Sequence, residues 1–368
     1  MPQAGAALLG GGVKMLYDRS KGLRQSREEE RAMINTTLRL ACIAALALVC
    51  VPAFGQDTLK LAVGQRGLWD TSISDVGQRA GIFKKHGLTL EILYTQGAGE
   101  TQQAVISGGV EIGVGVGVMG VLSAYSKGAP VRIIGAEITG AGDLYWYVKA
   151  DSPIRTLNDT NGKSIAYSTN GSSTHGVVTA FIKQYGVSAK ATATGGPPAT
   201  LTAVMSGQVD VGWAAPPFGL DQLDGNEIRK IATGNDTLFK GQSVRLLITN
   251  TQTLESRKDA IDRYMQAYRE TVDWMYSDPA ALKTYAEFAA ITEAKAKRIR
   301  DEFFPKSSLS PDEITGLDLI VPDAVNLKFT AAPLTKEQLA GLIKIPPRKW
   351  CPVGQGAHAR TRLHWTTS

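Results

Sequence analysis

Ser206-Gly-Gln-Val-Asp-Val-Gly-Trp-Ala-Ala-Pro-Pro217 repeats a stretch that the chain has already used once, Ser107-Gly-Gly-Val-Glu-Ile-Gly-Val-Gly115. An offset of 99 pairs Thr101 with Thr200, Ala104 with Ala203, Val105 with Val204, Gly108 with Gly207, Val110 with Val209 and Gly113 with Gly212. Upstream, the same offset lays Gly81-Ile-Phe-Lys-Lys-His-Gly-Leu88 over Ala180-Phe-Ile-Lys-Gln-Tyr-Gly-Val187, and downstream Gly120 over Gly219, so the correspondence spans residues 81–120 and 180–219. Each copy reads as a short helix closed by a glycine in the left-handed position, then a buried strand. Helix, tight turn and parallel strand are the parts of a βαβ unit. Two such units a hundred residues apart predict two similar α/β lobes, and two lobes imply a cleft.

Working outward, Leu59 to Val63 alternates into a first strand, and Gly64 to Ser72 is a loop opening a helix through Val76, Ala80 and Phe83 to a stop at Gly87. Strands follow at 88–94, 110–116 and 131–137. Leu144 to Val148 is expected to carry the chain out of the first lobe, and Ser243 to Thr249 to return it. The second lobe holds a strand at Ser164 to Tyr167, a turn at Ser168 to Thr174 and a helix from His175 to Tyr185. From Ser256 the pattern is helical, with Asp278-Pro279, Thr292, Ser310-Pro311 and Thr335 as expected helix starts. The stripe Ile261, Tyr264, Tyr268, Val272 and Met275 is read as packing for the first lobe.

The two ends differ from the rest. Residues 33–55 carry one arginine, an apolar run from Leu40 to Val51, and Ala53 and Gly55 at cleavage positions, the pattern of a signal peptide cut before Gln56. Residues 1–32 are then an extension ahead of the true start at Met33, and 347–368 an unstructured tail. A lipid anchor on Cys50 is disfavoured by Val49 at a small-residue position. The formal net charge is +6, but the ends contribute +3 (1–55) and +4 (348–368), which leaves about −1. The basic excess thus gives no argument for nucleic acid. All three cysteines, Cys42, Cys50 and Cys351, also lie in the ends, so the remainder suits an oxidising compartment without disulfide or redox chemistry.

With its signal peptide, Gly81-Ile-Phe-Lys-Lys-His-Gly-Leu88, Gln103-Ala-Val-Ile-Ser-Gly-Gly-Val-Glu-Ile-Gly113 and the helix after a Ser/Thr/Gly turn, the chain resembles the periplasmic solute-binding proteins of ABC importers. The group is the one serving nitrate, sulfonates, taurine and thiamine-pyrimidine precursors. The resemblance implies a type II periplasmic binding fold: two lobes, each a mainly parallel sheet flanked by helices, joined by a two-strand hinge. The expected division is 56–146 with 247–346 for lobe one and 147–246 for lobe two. It further implies a monomer in the periplasm that captures a small organic anion or zwitterion and delivers it to an inner-membrane permease.

Open α/β sheets bind ligands at the C-terminal ends of their strands, which selects five loops. The first contributes Gln65 and Trp69, the second Gly99, Glu100 and Thr101, the third Gly117 and Val118. In lobe two, Ser168, Thr169, Gly171, Ser172, Ser173, Thr174 and His175 form a turn whose N–H and O–H groups at a helix start suit an oxyanion, or simply cap that helix. Trp213 and Pro216 come from the fifth loop. Trp69 and Trp213 are expected to wall the pocket, and Glu100 either pairs with an amine or sits solvated in a first turn. Between residues 56 and 346 only His86 and His175 are histidines, and no paired-carboxylate or metal-ligand spacing occurs. No enzyme, cofactor or metal is therefore expected. The alternatives are an enzyme on the same scaffold, such as a thiamine-pyrimidine synthase, or a ligand-sensing periplasmic protein.

Overall fold

The computed structural model describes residues 56–348. The expected signal peptide, the extension ahead of it and all of the expected tail but residues 347 and 348 lie outside the described residues. The chain first builds β1 (Asp57–Gly64), α1 (Ile73–Arg79), α2 (Ile82–Lys85), β2 (Leu88–Thr95), α3 (Ala98–Ile106), β3 (Ile112–Gly117), α4 (Val118–Ser126) and β4 (Val131–Thr139). It continues with β5 (Tyr145–Lys149), β6 (Ser164–Tyr167), α5 (Ser173–Tyr185), β7 (Lys190–Ala193), α6 (Pro197–Met205), β8 (Gly212–Ala214), α7 (Leu220–Asp224) and β9 (Ile228–Thr233). After β10 (Ser243–Asn250) come only helices: α8 (Thr251–Ser256), α9 (Lys258–Ser277), α10 (Ala280–Ala289), α11 (Glu293–Phe303), α12 (Leu317–Asn326) and α13 (Lys336–Leu342).

The first sheet has the order β2-β1-β3-β10-β4. The second is built from β8-β5-β9 and the pair β6-β7, linked by a parallel bridge between Ile165 and Val211, which gives β7-β6-β8-β5-β9. The two orders correspond strand for strand. In each, the fourth strand is antiparallel to both neighbours: β10 to β3 and β4, β5 to β8 and β9.

The sequence repeat holds at the level of single bonds. Thr101 Oγ1 lies 2.7 Å from Thr95 Oγ1, and Thr200 Oγ1 lies 2.7 Å from Thr194 Oγ1. Val110 N donates to Ala104 O at 3.2 Å, and Val209 N to Ala203 O at 3.2 Å. Gly108 and Gly207, which close the two helices, have φ of 76° and 77°. A buried glycine then lets the antiparallel neighbour strand and the preceding helix approach: a Cβ on Gly113 would meet Ile248 and Val105 at 2.9 Å, and one on Gly212 would meet Tyr147 at 2.6 Å and Val204 at 2.7 Å. Interiors this dense leave no room for the extra methyl.

Three local expectations are corrected. The helix expected through Phe83 is broken in two at Gly81, which adopts a left-handed φ of 75°. Ser310-Pro311 starts no helix; α12 begins at Leu317 behind Gly316 and carries Pro322 inside it. Leu144 to Val148 does not leave lobe one as a strand of that lobe, because β5 lies wholly in the second sheet and β10 wholly in the first. The crossings are therefore 140–144 and 234–242. They bond to each other through Gly140 N to Gln242 O (2.8 Å), Gly234 N to Leu144 O (2.9 Å) and Ala141 N to Asn235 Oδ1 (2.8 Å). The expected starts at Thr292 and Thr335 cap their helices, accepting from Lys295 N and Gln338 N. The stripe from Ile261 to Met275 is buried as read. Beyond α13 the chain stays tied to α9, since Arg269 donates to Pro346 O and Gln266 to Pro347 O.

Candidate functional site

The lobes meet where the helix starts of one face those of the other. Gly99 N donates to Thr169 Oγ1 at 2.9 Å across the junction. The start of α4 packs on the turn before α5 so closely that a Cβ on Gly117 would lie 2.5 Å from Ser173 N, and one on Gly120 2.3 Å from Gly171 O. Beside these contacts is a cavity of about 30 Å³, room for one or two water molecules. Lobe one contributes Gln65, Leu68, Thr71, Gly115 and Arg245, the crossing contributes Leu144, and lobe two contributes Ser168, Ser172, Ser173, Thr174 and Trp213.

Of the two purposes read into the turn, the structure shows the helix cap. Gly171 has φ of 83°, and Ser172 caps α5 by accepting from His175 N at 3.1 Å. Thr174 Oγ1 accepts from Ser168 N at 2.9 Å and lies 3.0 and 2.9 Å from the hydroxyls of Ser168 and Ser172. These hydroxyls hold the turn. Ser173, one residue into the helix, faces the cavity without being drawn into that chain of bonds. Thr174→Val should consequently cost about 1–3 kcal/mol of stability, the penalty for leaving the buried Ser168 N–H unpaired. Ser173→Ala should leave the melting temperature unchanged. Equal melting temperatures for the two variants would refute this division of labour.

Several expected residues lie elsewhere. Trp69 is fully buried among the C-terminal helices, with Nε1 donating to Tyr276 at 3.0 Å and its ring edge-on to Tyr285 at 4.7 Å. Glu100 accepts from Gln96 N at 2.9 Å and serves its own helix. Thr101 is consumed by the Thr95 bond, and Val118 is buried core. His175 stacks on Tyr167 at 4.5 Å, its Nδ1 accepts from Gly171 N, and burial holds its pKa below the usual value. It is a helix-start histidine. Pro216 is buried in the loop after β8. Trp213 does line the cavity, and its Nε1 is buried without a partner among the described residues.

The sequence reading passed over Arg245. It is 3% exposed, and its guanidinium is held by Asp70 (Nε to Oδ2, 2.7 Å) and Asp143 (Nη2 to Oδ2, 2.6 Å). Glu137, one strand away, accepts from Gly115 N at 2.6 Å. Burial alone would favour neutral arginine, but the attraction of Asp143, Asp70 and Glu137 outweighs it and keeps the cation. The carboxylates respond the other way. Burial, then the charge of Asp70, raises Glu137 well above the carboxylate range. Asp143 is pushed up to about 6, because burial and Asp70 outweigh Arg245. An acid in a buried strand next to an arginine in another was the available signal, since such charges are rarely buried unless paired.

A raised folded pKa makes the ionised form of Asp143 a cost that is complete above pH 6 and relieved as pH falls towards the unfolded value near 4. His175, with a lowered pKa, acts oppositely below about pH 6.5, so the effect is read by difference. The melting temperature of wild type minus that of Asp143→Asn should increase as pH falls from 7 to 5. A difference that is flat or decreasing would exclude the shift.

A family model described as NMT1/THI5 like matches residues 75–282, more than half of the chain. No curated protein sequence matches. The alkanesulfonate-binding protein SsuA from Xanthomonas axonopodis pv. citri, bound to MOPS, is 16% identical, with a TM-score of 0.62 over 78% of this chain and 98% of that one. The aliphatic sulphonate-binding protein SsuA from Escherichia coli is 16% identical, with a TM-score of 0.59 over 84% and 98%. The nitrate-binding protein NrtA from Synechocystis PCC 6803 is 13% identical, with a TM-score of 0.61 over 77% and 84%. At these identities the likeness is one of fold, the two-lobed periplasmic binding fold.

Proposed function

Because the chain belongs to the NMT1/THI5-like family, we propose that it is the extracytoplasmic solute-binding component of an ABC importer. It captures a small organic anion or zwitterion between its lobes and hands it to a membrane permease. The observation that carries this reading is the buried guanidinium of Arg245 at the inter-lobe cavity, where Trp213 Nε1 and the Ser173 hydroxyl supply further donors. A sulfonate or carboxylate head accepts from all three, and hydrogen bonds to a charged group away from water are the strong ones. The neighbours whose printed names specify sulfonates or nitrate support an oxyanion head. Asp70 and Asp143 orient the arginine and offset its charge, so its hold on a head group comes from its N–H donors and not from net charge.

The reading is also of a binder and not an enzyme. Ser168, Ser172 and Thr174 bond to one another, and the nearest histidine turns away to Tyr167. None of the three hydroxyls of this turn is thereby paired with a base. Export through residues 33–55 would place the protein in the periplasm.

Since the cavity holds only a water or two, a solute enters by parting of the lobes and is sealed by their return. Native mass spectrometry of protein purified without refolding should find a co-purified small molecule. Adding it back should raise the melting temperature by mass action. Turnover of that molecule with release of a product would overturn the reading in favour of an enzyme.

A further inference from the structure

Away from the α5 turn, the lobes touch a second time through two helices that carry opposite charges at the same spacing. On α7, in lobe two, Leu220 is buried and Leu223 packs against the core, and each is followed by an aspartate, Asp221 and Asp224. On α11, Ala296 and Ile299 are fully buried, and each is preceded by a cation, Lys295 and Arg298. A three-residue step places both members of each set on one flank of their helix. The flanks match. Lys295 Nζ donates to Asp221 and Arg298 Nη1 to Asp224 at 2.7 Å, each pair 74 residues apart in the chain.

The helices belong to different lobes. Tyr145 of the second sheet donates to Phe218 O just ahead of α7. At the end of α11, Phe304 O accepts from Tyr276, which itself accepts from Trp69 of lobe one, and before α11 Tyr285 donates to Gly67 O at 2.9 Å. Among the described residues, the other ion pairs stay within one lobe or, as with Arg245 and Asp143, reach only a crossing.

This second contact is electrostatic where the first is packed. At the α5 turn uncharged groups meet backbone to backbone, but beside Lys295 and Asp221 the apolar residues stand apart: Leu201 and Phe218 face Ala289 and Ile291 across a space of about 290 Å³. The bond from Arg298 holds the Asp224 carboxyl below the usual range, and the charge of Lys295 acts in the same direction, so the four groups form one network. Glu302, bonded to Arg298 at 3.2 Å on the same helix, keeps that guanidinium oriented. All four groups are partly exposed, so each pair is weak and screened by salt. A balance between two arrangements of the lobes responds to little, however, and each pair supplies up to about fivefold in the closed-to-open ratio.

We propose that Asp221 with Lys295 and Asp224 with Arg298 form a latch between the lobes, so that ionic strength, and not solute alone, sets how much of the protein is closed. The inference rests on the reading that the lobes part to admit a solute.

Small-angle scattering on the full chain, with no solute added, tests it. The radius of the wild type should grow as salt is raised from about 0.01 M to about 1 M, over which the screening length falls from about 30 Å to about 3 Å. Asp221→Lys with Asp224→Arg turns both attractions into repulsions. That variant should have the larger radius already at low salt and should converge on the wild type at high salt. Adding Lys295→Asp and Arg298→Asp restores both pairs with their signs exchanged and should bring back the wild-type radius, which damage to either helix would not allow. Gly120→Ala, whose methyl would stand 2.3 Å from Gly171 O at the packed contact, is the control for parting of the lobes. A larger radius in Gly120→Ala but not in the charge-reversed variant would overturn the latch and leave the solute-binding reading intact. An enlarged radius that the fourfold exchange fails to restore would overturn it as well. No enlargement in either variant would overturn both the latch and the parting of the lobes.

Discussion

Arg245→Met should lower folding stability by about 3–5 kcal/mol, the typical cost of removing one partner from a buried ion pair, and should abolish solute binding. The cost arises because the carboxylates of Asp70 and Asp143 would be left buried without the guanidinium that bonds them. Loss of binding in so unstable a variant proves little by itself. The informative comparison is the triple change Arg245→Met, Asp70→Asn, Asp143→Asn. Replacing the whole cluster removes the orphaned carboxylates, and buried ion clusters replaced together by groups of similar volume that pack well can be as stable as before. Chemical denaturation should therefore show most of the stability restored, while calorimetry shows binding still absent. Recovery of affinity in the triple variant would mean that Arg245 only supports the loop carrying Asp70, and the head of the solute would have to be assigned to the α5 turn alone.

Gly120→Ala should act with the opposite signature. Alanine in a helix is favoured over glycine by up to about 1 kcal/mol, so the melting temperature should hold or rise. Its methyl, however, would stand 2.3 Å from Gly171 O on the other lobe. A backbone atom cannot step aside as a flexible side chain can, so the lobes would be wedged apart. Overpacking of this kind costs about 1–3 kcal/mol, which converts to a loss of affinity of roughly tenfold to hundredfold through the smaller population of the closed state. Small-angle scattering in saturating solute should give a larger radius than wild type. Unchanged affinity and radius together would show that closure does not bring α4 onto the α5 turn.

The parts of this fold that could be read from the chain are those whose causes are local. A helix, a left-handed glycine and a buried strand all fall within about fifteen residues, so Gln102 to Gly113 and its counterpart ending at Gly212 were legible as a repeat. Sheet membership is not local. Tyr145 to Val148 is buried and apolar whichever sheet it joins, and only pairing with Gly212 to Ala214 and with β9 decides the matter. The same limit separates the two tryptophans expected at the site. Trp69 is claimed by Tyr276, two hundred residues later in the chain, whereas Trp213 finds no such partner and stays at the cavity. Arg245 was missed for a different reason. It lies in a run, Ser243 to Asn250, buried at every position, and the run's hydrophobicity drew attention from the one charge that demanded an explanation.

The matching strand orders conceal an asymmetry in how the halves come into being. All five strands of the second sheet, β5 to β9, lie in one uninterrupted segment between residues 145 and 233. The first sheet has a gap between β3 and β4 until β10 arrives. A chain delivered amino end first therefore finishes its later lobe before its earlier one. Residues 56–139 must wait, with the inner edges of β3 and β4 bare, while the intervening segment folds and brings residues 243–250 back to them. Bare strand edges are where chains associate wrongly. The hazard in biogenesis thus falls on the segment synthesised first and not on the lobe that follows.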